Sequence, residues 1–127
     1  MYLSTRGNFD SVTAAKAIKF GMVPAGGLFV PAKIPVISRR QLLAMQDYSY
    51  QELALQIMTL FLDGFSKGEI EQCVASAYNR KQFSHPLVAP LHRLNESTYF
   101  LELWHGPTAA FKDLALQIMP VLLALAK

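Results

Sequence analysis

The sequence predicts an α/β chain, α+β within these 127 residues, mainly helical at first and then turning extended. Three observations carry this. Apolar residues at helical spacing follow Ser-x-x-Glu starts in the first two-thirds of the chain. Two apolar, extended segments, His85–Leu94 and Thr98–Leu103, are joined by Asn95-Glu96-Ser97, a plausible hairpin turn. The second segment runs into Gly106-Pro107 and then into a long apolar helix, which is the front half of a β-α-β unit.

In order along the chain, a short strand is expected at Tyr2–Thr5. A helix capped by Asp10 or Ser11 follows, with Val12, Ala15 and Ile18 on its apolar face and Gly21 at its end. Pro24, Gly26 and Gly27 make a turn, and Leu28–Val30 reads as a strand that Pro31 closes, on a sheet edge. Ser38 caps a short helix, Arg39–Met45. Capping boxes at Ser49/Glu52 and Ser66/Glu69 start helices of about 50–62 and 67–79. The last helix is expected to start near Ala109 with Thr108 as its cap, and to carry Pro120 in its interior, where a proline costs about 3 kcal/mol or kinks the helix. LALQIM occurs at Leu53–Met58 and again at Leu114–Met119, but with different flanks, as two buried helices rather than a repeat. The apolar ending without a glycine cap or a returning parallel strand leads us to expect the front part of a longer α/β protein.

Composition narrows the function. The net charge of +3 comes from scattered basic residues, with no basic stripe of the kind that binds nucleic acid. The single cysteine, Cys73, lies in a helical pattern and reads as a small buried hydrophobe. His85, His92 and His105 lack the spacing of a local zinc motif, so no metal is expected. No signal-peptide core and no membrane-spanning run is visible, and a cytoplasmic location is expected.

The residue that raises a chemical question is Lys112. Helix N-termini favour anions, so an ammonium in a first helical turn is poorly placed, and a lysine made less basic is a better amine nucleophile. Asp113 opposes that shift, and on the residues alone a surface lysine stays open as the plainer reading.

The stretch HGPTAAFKD (His105 to Asp113) resembles the lysine motif of threonine synthases, a family of fold type II enzymes dependent on pyridoxal 5'-phosphate (PLP). YLSTRG, PAGGLFVP, YSYQELALQI, the YN at 78–79, HPLVAPL and YFLELWHGPTAAFKD also resemble, in order, the bacterial and fungal type of that family. The resemblance implies a lyase of threonine biosynthesis that turns O-phospho-L-homoserine and water into L-threonine and phosphate. It implies that Lys112 is both the catalytic and the cofactor-binding residue, carrying PLP covalently and moving protons on the substrate skeleton. His105, Gly106, Pro107, Thr108, Phe111 and Asp113 match the motif's framework. Ser4, Thr5 and Arg6 suit a phosphate but are expected to tether the N-terminal unit.

By the same resemblance, residues 1–83 are an N-terminal domain and residues 84–127 the start of a truncated catalytic domain. The family's glycine- and serine-rich cofactor segments lie beyond the lysine. No glycine follows Gly106, so the chain alone is expected to be inactive and to need the rest of the catalytic domain as partner. Two alternatives are a non-catalytic interaction or dimerisation module, and a related PLP lyase with another amino-acid substrate.

Overall fold

In the computed structural model, which describes residues 1–126, ten short elements follow in the order strand, helix, strand, three helices, two strands and two helices. The strand β1 (Tyr2–Ser4) pairs antiparallel with β2 (Phe29–Pro31) in the register Leu3↔Val30. Pro31 lies within β2 rather than after it. Its partner Tyr2 turns its own N–H and C=O toward Val12, so the missing Pro31 N–H costs no ladder bond.

The first helix, α1, covers Ala14–Phe20 and is capped by Thr13, whose Oγ1 accepts from Lys16 N at 3.3 Å. Neither Asp10 nor Ser11 caps it, because Val12 is used by the sheet: it exchanges backbone hydrogen bonds of 2.7 and 3.0 Å with Tyr2. Gly21 ends the helix as expected. Phe9, Phe20 and Phe29 form a ring cluster that fastens β2 to α1.

Ser38, Ser49 and Ser66 each close a capping box, starting α2 (Arg39–Ala44), α3 (Tyr50–Phe61) and α4 (Lys67–Ala77). Each serine hydroxyl satisfies an otherwise orphaned backbone N–H, a device worth about 1 kcal/mol per helix. The fourth helix is central. Ile70, Cys73, Val74 and Ala77 are buried along one side of it, and Tyr78, Phe83 and Val88 extend that core toward the C-terminal third. Cys73 is fully buried, and burial, with Glu69 nearby, pushes its thiol pKa up, so it is a small hydrophobe here.

The hairpin β3 (Leu91–Arg93) and β4 (Tyr99–Leu101) forms where the sequence places it, with His92 opposite Phe100. All six of its residues are exposed.

The last helix departs from expectation. It is two helices, α5 (Asp113–Leu116) and α6 (Met119–Leu125), broken at Gln117–Ile118. Pro120 therefore occupies the first turn of α6, where its fixed φ suits the helix and its missing N–H has no partner to lose. Ile118 and Leu122 lock this pair of helices into the same core as α4. Among the described residues no helix is long and apolar enough to cross a membrane.

Candidate functional site

The segment from β4 to α5 holds the residues singled out from the sequence, and its shape is set by one carboxylate. Asp113 is 1% exposed. Its Oδ2 accepts from Thr108 N at 2.9 Å and Ala110 N at 3.4 Å, and its Oδ1 accepts from the Thr108 hydroxyl at 2.7 Å. Burial alone would raise this carboxyl's pKa, but the Thr108 and Ala110 donors outweigh it and hold the pKa below the ordinary aspartate value.

Thr108 is thus not the cap of a helix beginning at Ala109. The hydroxyl donates to Asp113 instead of accepting from a helical N–H, and the helix begins four residues later. The physical reason is Ala109, whose φ of 55° lies in the left-handed region and cannot continue a right-handed turn.

Gly106 explains how the loop closes so tightly. A Cβ there would sit 2.4 Å from Asp113 Cβ and 2.5 Å from Oδ2, so only glycine admits the carboxylate. Pro107 continues the turn, and Ala109 N donates to Gly106 O at 3.2 Å.

His105 ties the loop down from the other side. A carboxylate can only accept, so the 2.7 Å contact with Glu102 Oε2 puts the proton on His105 Nε2. The backbone oxygen of His105 accepts from Ser84 N at 2.9 Å, and Ser84 Oγ approaches the same oxygen at 3.3 Å. The rings of His85 and His105 stand 5.0 Å apart.

Lys112 emerges from this frame. It takes the N-cap position of α5 with φ −62° and ψ −22°, and its side chain is exposed and makes no capping bond. Asp113, its sequence neighbour, is committed to the loop, and no ion pair joins the two. The helix after Lys112 is a single turn of four residues. The dipole argument from a long helix therefore loses most of its force, since the macrodipole is a sum over aligned peptides. Phe111 is 65% exposed beside it.

Tyr78 braces the far side of α5 by donating from its hydroxyl to Leu114 O at 2.8 Å. Burial, with Tyr50 in T-shaped contact at 5.0 Å, drives its phenol pKa well up, so it stays a donor.

Glu102, Ser84 and Tyr78 are therefore supporting residues that sequence reasoning did not assign to the site. The Glu102–His105 spacing is a contact signal in a helix, and nothing in an extended segment marks it. Ser4 and Thr5 serve as tethers: Ser4 Oγ donates to Asn8 Oδ1 at 2.6 Å, and Thr5 Oγ1 accepts from Leu28 N at 3.0 Å. Among the described residues, no group of three or more His, Cys, Asp or Glu is arranged to hold a metal ion.

This architecture has known counterparts. The chain is 38% identical over 120 residues to a threonine synthase of Schizosaccharomyces pombe, covering 93% of this chain and 23% of that protein. It is 36% identical over 124 residues to threonine synthase-like 2 of Xenopus laevis, covering 96% of this chain and 26% of that one. The crystal structure of the PLP-bound threonine synthase of Brucella melitensis superposes with a TM-score of 0.91 at 35% identity, over 98% of this chain and 27% of that chain. The chain thus spans about a quarter of the length of the curated relatives it matches. Residues 1–78 match the family described as threonine synthase N terminus, and with it the chain belongs to the threonine synthase family.

Proposed function

We propose that the chain is the N-terminal part of a PLP-dependent lyase that converts O-phospho-L-homoserine and water into L-threonine and phosphate, with Lys112 holding the cofactor. The observation that carries this is an exposed lysine with no ion-pair partner among the described residues, projecting from a loop that Gly106, Thr108 and Asp113 fix rigidly. The donor chemistry fits the group, because PLP presents an aldehyde that takes a primary amine, and the carboxylate beside Lys112 is already spent. When bound, PLP supplies an electron sink for charge developing on the substrate's carbon skeleton.

The chain's own residues have simpler tasks. Lys112 holds the cofactor and, as a neutral amine once released, takes and returns a proton. Asp113 and Thr108 position Lys112 by closing the loop before it, and Gly106 makes room for that closure. His105 anchors the loop to Ser84 and Glu102. Pro107 and Phe111 complete the frame. These are positioning residues, and none is assigned a proton transfer.

In this reading residues 1–83 are an N-terminal domain and 84–127 open the catalytic domain. The contacts to the cofactor's phosphate and ring come from protein beyond these residues, and the chain alone is inactive. A related PLP lyase with another amino-acid substrate is the second reading. It draws on the 36% identity to threonine synthase-like 2, close to the 38% identity to a threonine synthase.

The test uses the intact protein. Lys112→Ala is expected to abolish the visible absorption of bound PLP and to lower O-phospho-L-homoserine turnover by about a thousandfold or more. An unchanged visible spectrum would overturn the assignment. Turnover of another phosphorylated amino acid in preference to O-phospho-L-homoserine would select the second reading.

A further inference from the structure

Away from Lys112, one corner of the molecule presents hydrogen-bond donors without acceptors. It lies where the end of β1 meets the Gly26-Gly27 turn. The Arg6 side chain is laid across that turn: a Cβ on Gly26 would stand 2.9 Å from Arg6 Nη1, and one on Gly27 would stand 3.3 Å from Arg6 Cγ. Both glycines have left-handed φ, 87° and 107°, so side chains are kept out of the corner by space and by backbone conformation alike. The Arg6 guanidinium pairs with no carboxylate among the described residues.

Two further donors flank it. Thr5 Oγ1 would be 3.2 Å from a Cβ on Gly27. It already accepts from Leu28 N, so its proton is left to donate. The Gly26 carbonyl accepts from Asn8 Nδ2 at 3.2 Å. In a trans peptide the following N–H points the opposite way, so the Gly27 amide faces away from Asn8, and it donates to nothing among the described residues. Asn8 also takes the Ala25 carbonyl at 3.2 Å, which fixes the turn. Ser4 is spent on Asn8 and on Arg6 N.

We propose that Arg6, the Thr5 hydroxyl and the Gly27 amide form a binding site for a phosphate-class oxyanion. Arg6 and Thr5 both lie against the Gly26-Gly27 turn, and three donors on one turn suit the three terminal oxygens of a phosphate monoester better than the two of a carboxylate, with arginine's fork giving paired, charge-assisted bonds. The site stands on its own geometry, whether or not Lys112 carries a cofactor.

The test is hydrogen–deuterium exchange of the intact protein, read by peptide, with inorganic phosphate, with acetate, and with chloride at matched ionic strength. Phosphate is expected to slow exchange in the peptides covering Thr5–Asn8 and Gly26–Leu28. Arg6→Gln should raise the phosphate concentration for half-protection about tenfold, and Arg6→Lys should raise it less. Melting of both variants close to wild type shows that the fold is kept. Equal protection in wild type and Arg6→Gln, or no protection of these peptides in the wild type, would overturn the proposal. Acetate protecting as well as phosphate would overturn the phosphate class. Reading these peptides separates the site from any phosphate bound near Lys112.

Discussion

At the scale of single residues, the candidate site is organised by what surrounds Lys112. A Cβ added at Gly106 would overlap the Asp113 side chain, 2.4 Å from its Cβ. Gly106→Ala must therefore push the carboxylate off Thr108. Thermal unfolding of the intact protein should show a loss of several degrees, and the peptide 106–113 should become sensitive to protease; a melt unchanged from wild type would contradict the packing.

The same carboxylate sets a pH dependence. Its folded-state pKa lies below the unfolded value of 3.8. Its contribution is thus complete above that value and is lost as the pH falls from it through the folded value. Unfolding free energy measured across pH 5 to 2 should fall more steeply for wild type than for Asp113→Asn, which starts less stable because an amide NH₂ replaces one acceptor. How the loop closes was not legible in the sequence. HGPTAAFKD shows the lysine and its neighbours, but the left-handed Ala109 and the inverted Thr108–Asp113 bond depend on a through-space contact with Gly106.

At the scale of elements, capped helices were readable because a capping box is local chemistry: Ser38, Ser49 and Ser66 all start helices as expected. Failures came where a neighbour in space competed. Val12 left the first helix for a bridge with Tyr2. The expected final helix divided ahead of Pro120, which the sequence marks as a misfit, although the sequence does not say that the break falls at Gln117–Ile118. What holds the one-turn α5 in place is mainly tertiary, since so short a helix has little stability of its own. Tyr78, 3% exposed, is one such hold through Leu114 O. Tyr78→Phe should cost about 1 kcal/mol in chemical denaturation, since it leaves that carbonyl without its donor while the ring packing is kept. A change indistinguishable from zero would show that the bond does not support α5.

At the scale of the whole molecule, surface area is the informative quantity. The chain exposes 8691 Å², whereas a compact monomer of 14.1 kDa should expose about 6,700 Å². The excess of about 2,000 Å² is more than twice the roughly 800 Å² that one partner contributes to a standard protein interface. Much of it is apolar: Leu91, Phe100 and Leu101 on the hairpin are 68%, 51% and 53% exposed, and Leu116 and Leu123 on the last two helices are 56% and 49% exposed. In the reading proposed above, a larger catalytic body covers this surface. The 127 residues expressed alone should self-associate and bind a hydrophobic dye; a monomer by ultracentrifugation with low dye binding would contradict that.

The proposal that Lys112 holds the cofactor is open to covalent trapping. The intact protein is loaded with PLP, reduced with borohydride, digested with trypsin and mapped by mass spectrometry. A phosphopyridoxyl mass is expected on the Leu94–Lys127 peptide, uncut after Lys112 because trypsin does not cleave at a modified lysine, with fragment ions placing the mass on Lys112. The mass on any other lysine, or an unmodified Lys112 in protein that retains the cofactor, would contradict it.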